Sequence, residues 1–111
     1  MTDRKRDEKR CEIKAKIWLE KDGIPAIGEG RAHLLRQIEE HGSLASAARD
    51  LGMSYRHAWG IIQKIADAVG TTVVQSERGG AGGGGTRLTE AGHALLKEYE
   101  DAIKRLSNER I

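Results

Sequence analysis

Residues able to do chemistry are few in this chain, and their spacing argues against most kinds of it. His33, His41, His57 and His93 are scattered, with no pair at metal-ligand spacing, and the single Cys11 has no cysteine companion. Ser43, Ser46 and Ser54 read as helix caps and small packing residues rather than nucleophiles, since Ser43 and Ser54 each precede a helical pattern. The acidic residues gather around Glu39 and Glu40 and in the last predicted helix, with no apolar pocket legible around them. Gly80 to Gly85 fits G-x-G-x-x-G literally, but a dinucleotide site needs those glycines between a strand and a helix of a βαβ unit. Here Thr86-Arg87-Leu88 follows instead, and no Gly-Lys-Ser/Thr closes the run as a phosphate loop would require. An enzyme is therefore the weakest reading, and no cofactor or metal is expected. The chemistry that survives is polyanion recognition. Tyr55, Arg56, His57, Gly60 and Lys64 share one face of a predicted helix that carries no acidic residue among them.

The elements that must hold that face in place are legible around it. Ser43 to Ile65 reads as two short helices joined by a tight turn, with Gly52 where the turn needs positive φ. Ala47 and Ala48 allow close approach of the two axes, while Ala58, Ile61, Ile62 and Ile65 form the buried stripe of the second helix. This is the pattern of a helix-turn-helix, expected over about residues 43–69. Trp59 stands at the edge of the stripe and is expected to pack rather than to touch a base.

At 111 residues there is room for one domain with its own core, and a formal charge of +2 is too small to argue nucleic-acid binding by itself. Residues 1–11 are expected to form a disordered charged tail, since MTDRKRDEKR has almost nothing to bury. From Glu12, the alternation of Ile13, Ala15, Ile17 and Leu19 predicts a half-buried strand. Lys21-Asp22-Gly23 then turns the chain into a short returning strand, Ile24 to Ile27. Trp18 lies on the polar face and is expected to be a surface packing residue, with a subunit contact as the alternative. Gly28-Glu29-Gly30 breaks the chain before a helix over Arg31 to His41. Thr72-Val73-Val74 predicts a strand, and a second strand at Thr86-Arg87-Leu88 closes a Gly-rich hairpin directly after the recognition helix. That hairpin, about residues 72–88, is expected to be a wing, with a flexible linker as the alternative. Gly80, Gly82 and Gly83 would let its backbone lie close to sugar and phosphate, with Arg78 and Arg87 supplying charge. A last helix of about residues 89–108 carries a seam of Leu88, Gly92, Leu95, Tyr99, Ala102 and Leu106, flanked by Leu96 and Ile103. Leu95, Tyr99, Ala102 and Leu106 are expected to join two copies as a homodimer, and Gly92 to let another backbone approach. The fold class is thus mainly α with a small β wing: a winged helix-turn-helix with an N-terminal β-hairpin. No apolar run reaches membrane-spanning length and no signal peptide is legible, so a cytoplasmic protein with no membrane partner is expected.

Gly42-Ser43-Leu44, Gly52-Met53-Ser54-Tyr55-Arg56-His57-Ala58-Trp59, Arg78 with the glycine run, and Leu88-Thr89-Glu90-Ala91-Gly92 together resemble the N-terminal DNA-binding domain of the molybdate-responsive ModE regulators. More distantly they are similar to LysR-type winged helices. The resemblance implies a transcriptional regulator of the ModE type. It would bind double-stranded DNA at an inverted-repeat operator as a homodimer, through Ser54, Tyr55, Arg56, His57, Gly60, Lys64 and the wing. ModE proteins bind molybdate in C-terminal domains that these residues do not include, so the expectation is a regulator without direct molybdate sensing, which leaves room for a separate sensor subunit. The alternative is a winged helix reused to bind proteins rather than DNA.

Overall fold

The computed structural model describes residues 10–77 and 85–108. The order is β1 (Trp18–Lys21), β2 (Ile24–Gly28), α1 (Glu29–His41), α2 (Leu44–Asp50), α3 (Tyr55–Val69), β3 (Val74–Glu77), β4 (Gly85–Leu88) and α4 (Glu90–Asn108). The result is mainly helical, with two separate antiparallel hairpins, β1–β2 and β3–β4. Most of the tail expected at residues 1–11 lies outside the described residues.

The first hairpin closes through Asp22 (φ 52°) and Gly23 (φ 82°), the positive pair that a two-residue turn demands when it follows the twist of its strands. Its first strand is shorter than the alternation predicts. Residues 12–16 are exposed, and Ile13 is 94% exposed. The reason is the partner: Trp18 pairs with Gly28, and the chain turns into α1 at Glu29, so nothing remains for residues 12–16 to bond to. An alternating pattern without a facing ladder does not make a strand.

The helix α1 starts two residues earlier than expected, with Gly28 in the N-cap position and Gly30 inside the first turn. Glu29 favours that start: its carboxylate sits at the positive end of the helix and accepts from Arg36 at 3.3 Å. Leu34, Leu35 and Ile38 of α1 meet Leu44, Ala47, Ala48, Ala58, Ile62 and Ile65 in one core. The helix-turn-helix forms as its caps foretell. Ser43 Oγ accepts from Ser46 N–H and Ser54 Oγ from His57 N–H, each at 3.0 Å, and Gly52 between them has φ 72°.

The strand expected at Thr72-Val73-Val74 is displaced towards the C-terminus. The β3–β4 ladder runs from Val74 opposite Leu88 to Glu77 opposite Gly85. Val73 is buried but lies outside the ladder, because its carbonyl accepts from Thr89 N–H at 2.9 Å, at the foot of α4.

The C-terminal helix differs most from expectation. Tyr99 is only 2% exposed, and its hydroxyl lies 3.3 Å from Ile17 O and 3.4 Å from Glu29 Oε1. It is a core residue, not a face for a second copy. Leu88, Gly92 and Leu96 are buried with it, and Leu95 packs in part against the same core. Gly92 does admit a close backbone, but the backbone is that of Val73 in the same chain. One end of the seam is consumed internally because a short domain has no other large apolar surface to cover α1 and β2. Arg36 reinforces the packing by donating to Glu100 Oε2 at 2.6 Å, and His93 Nδ1 stands 3.1 Å from Glu39. Ala102 is half-buried, and Leu106 remains 53% exposed.

Candidate nucleic-acid interface

The α3 helix buries Ala58, Ile62 and Ile65 and turns Tyr55, Arg56, His57, Gly60 and Lys64 to the surface, all exposed as expected. Ser54, at its start, spends its hydroxyl on the cap. Ser54, Arg56, His57, Gly60, Ile61 and Lys64 line a shallow groove along this face. The charge on it is uncommitted. Among the described residues the side chains of Tyr55, Arg56, His57 and Lys64 make no hydrogen bond or ion pair. Arg31, Arg36, Arg87 and Lys97, by contrast, each hold an acceptor of their own fold. Arg56 and Lys64 are thus exposed cations with no ion pair among the described residues, although Asp67 lies one turn beyond Lys64.

Gly60 adds a second feature. A β-carbon there would meet nothing within 4 Å, so packing does not require glycine, although glycine inside a helix costs about 0.8–1.0 kcal/mol relative to alanine. The cost has no return inside the fold. It leaves a notch one turn beyond Arg56.

Of the wing, only the base is described; Arg78, Gly80, Gly82 and Gly83 lie outside the described residues. Arg87 corrects the expectation of a free charge. Its guanidinium donates to Glu77 Oε2 at 2.8 Å across the ladder, and this hydrogen bond together with the charge of Glu77 raises its already high pKa. The diagonal pair fastens the hairpin rather than offering a cation. The base of the wing is also tied to the corner between α1 and α2. Thr86 N–H donates to Gly42 O at 2.9 Å, and Thr86 Oγ1 accepts from Leu44 N–H at 3.2 Å. Thr86 thus positions the wing against the helix-turn-helix, a role with no local sequence signal because its partners lie more than forty residues away.

Trp59 is the other residue that sequence reading misplaced. It is 42% exposed rather than packed. Gln63 shares the exposed surface of α3, and spacing from Gly60 could have found it. Elsewhere, a concavity of about 470 Å³ lies between Trp18, Arg31, Tyr99 and Ile103 and includes no α3 residue. Among the described residues no three His, Cys, Asp or Glu side chains stand close enough to hold a metal ion. No helix there is long and apolar enough to cross a membrane.

Residues 31–93, from α1 into α4, match the family of bacterial regulatory helix-turn-helix proteins of the lysR type. This chain belongs to that family. It is a family of regulators rather than enzymes. Within it the chain is 39% identical over 85 residues to the molybdenum-pterin-binding protein MopA of Rhodobacter capsulatus, covering 77% of this chain and 32% of MopA. It is 36% identical over 100 residues to the molybdenum transport protein ModE of Azotobacter vinelandii, covering 84% and 37%. It is 37% identical over 70 residues to the DNA-binding transcriptional dual regulator ModE of Escherichia coli K12, covering 63% and 27%. The chain therefore spans about a third of the length of these curated relatives. Among solved structures, the lysR-type fold is shared with the CbnR_DBD-DNA complex, at TM-score 0.54 and 24% identity over 70% of this chain and 84% of that one. ArgP from Mycobacterium tuberculosis matches at TM-score 0.55 and 24% identity, over 71% of this chain and 28% of that one.

Proposed function

We propose that this chain binds double-stranded DNA as a transcriptional regulator of the ModE type, with α3 in the major groove. The observation that carries the reading is the uncommitted charge on α3: Arg56 and Lys64 are exposed and unpaired among the described residues, beside the notch at Gly60. Arg56, at the start of the helix, has the fork geometry to read a guanine, while Tyr55, His57 and Lys64 reach base edges or phosphates. The base of the wing is held to the Gly42 corner by Thr86. The wing residues Arg78, Gly80, Gly82 and Gly83, which lie outside the described residues, have the charge and the small size suited to a DNA backbone.

The working unit is a homodimer on an inverted-repeat operator. The end of α4, with Ala102 half-buried and Leu106 exposed, is the surface that supports this part of the reading. Two linked recognition helices bind more tightly than one because the second half-site is met at high effective concentration.

Selection of bound sequences from a pool of random duplexes tests both statements at once. A near-palindromic consensus is expected, with affinity that falls steeply as salt rises, as phosphate contacts demand. Absence of any enriched sequence, together with salt-independent association, would overturn the reading in favour of a protein-interaction module.

A further inference from the structure

On the flank of α3, Trp59 and Tyr55 form an exposed aromatic edge that the charge argument does not use. They stand four residues apart, one turn above the other on the same side of the helix, at 42% and 57% exposure. Two adjacent exposed rings make a contiguous apolar patch, and such patches, unlike single exposed side chains, mark contact surfaces. The other tryptophan offers a contrast. The Trp18 indole N–H donates to Glu20 Oε2 at 2.8 Å, whereas the Trp59 indole has no acceptor among the described residues.

What surrounds Trp59 says what could cover it. Arg56 lies three residues before it and Gly60 immediately after. At i,i+3 spacing Arg56 is the neighbour of Trp59 on the helix surface, while the groove that Arg56 and Gly60 line runs alongside and does not include the Trp59 ring. A surface that docks here must bring negative charge to Arg56 and an apolar group to Trp59 within one helical turn, with further negative charge at Lys64 about two turns beyond Arg56. The major groove of DNA supplies both. Phosphates line its rims, and the thymine C5-methyl is the one apolar group displayed on its floor.

We propose that Trp59, supported by Tyr55, is a specificity residue that recognises the thymine methyl group beside the base read by Arg56. The proposal rests on the DNA-binding reading above and adds to it a base identity at a position where no hydrogen bond need form. Gly60 allows the contact, since a side chain there would stand between the helix and the groove floor.

The test uses the full chain and the duplex obtained by selection, with each thymine replaced in turn by deoxyuridine, which removes the methyl group and nothing else. For the unaltered protein, one or two replacements per half-site should weaken binding about fourfold, the worth of one buried methyl group. In Trp59→Ala the same replacements should have no further effect, and repeated selection should lose the thymine at that position. Trp59→Gln serves as a second variant, with circular dichroism and thermal melting confirming that the helices stay folded. Trp18→Phe leaves Trp59 as the sole tryptophan, and its emission should change when duplex is added. A flat deoxyuridine scan in the unaltered protein would overturn the methyl contact while leaving DNA binding intact. So would a scan whose losses persist in both Trp59 variants. Folded Trp59 variants with unchanged affinity and unchanged preference would reassign the aromatic edge to a protein partner. Failure of the unaltered protein to bind any duplex would remove the DNA-binding reading itself, and this inference with it.

Discussion

The carbonyl oxygen of Val73 rests against the α-carbon of Gly92 so closely that a β-carbon at position 92 would overlap it. The contact seats α4 on the residue just before β3, and Thr89 N–H bonds the same carbonyl at 2.9 Å. Gly92→Ala must push α4 off this seat, and backbone offers no flexible end to yield. Overpacking of this kind costs about 1–3 kcal/mol. Chemical denaturation should show the unfolding free energy falling by that amount, through a lower midpoint at unchanged slope. A variant as stable as the parent would mean that α4 is free to shift.

Tyr99 makes stability depend on alkaline pH. Burial, then the charge and hydrogen bond of Glu29, raise its phenol above the ordinary value of 10.0, with Arg36 acting the other way. A raised value in the folded state means that the folded protein keeps the proton longer than the unfolded chain does. The stabilisation is complete below about pH 10 and is lost as pH rises through the folded value. Tyr99→Phe should cost about 0.5–1.5 kcal/mol at neutral pH through the lost hydrogen bonds. It should also flatten the alkaline decline, which melting curves at stepped pH will record. Equal alkaline slopes in parent and variant would exclude Tyr99 as the cause.

Gly60 is expected to separate stability from binding. Gly60→Ala adds a β-carbon that meets nothing in the protein and removes the helix penalty, so stability should rise by up to about 1 kcal/mol. Duplex affinity should fall, because the notch beside Arg56 is filled. Arg56→Ala provides the comparison, with a loss of about 1–3 kcal/mol in binding and relaxed preference at one base. Titrations against the selected duplex and a scrambled one, paired with melting curves, measure both quantities. A gain in stability with unaltered affinity would place Gly60 outside the interface.

The dimer is best probed at the tip of α4. Shortening the helix from its C-terminus is a poor probe, since a cut after Leu95 also removes Tyr99 and the Glu100 partner of Arg36. Leu106→Glu touches a side chain that is already 53% exposed, so monomer stability should change by no more than about 0.5 kcal/mol. Self-association in sedimentation at micromolar concentration should weaken, and operator affinity with it. A parent protein that sediments as a monomer there, with and without operator, would falsify the dimer.

Much of the helix-turn-helix and its exposed α3 face was legible in the sequence because it is set within a few residues. The caps Ser43 and Ser54, the turn at Gly52, the stripe of Ala58, Ile62 and Ile65, and the exposed run from Tyr55 to Lys64 all follow from helical periodicity and local hydrogen bonds. The family resemblance rests on the same short stretches. Tertiary structure decided whatever depends on partners distant in the chain. Residues 12–16 alternate like a strand but have no ladder to join, since β2 ends where α1 begins. Arg87 is basic by type, but Glu77 across the hairpin claims its charge. Tyr99 shares a seam with Leu106, but only Tyr99 reaches Ile17 and Glu29, so one is core and the other surface. Trp59 sits beside a buried stripe, and only the packing of α3 against the rest of the fold leaves its ring outside. Periodicity tells which residues share a face. It does not tell how far the neighbouring elements extend to cover that face, because coverage is set by contacts between segments that no local pattern encodes.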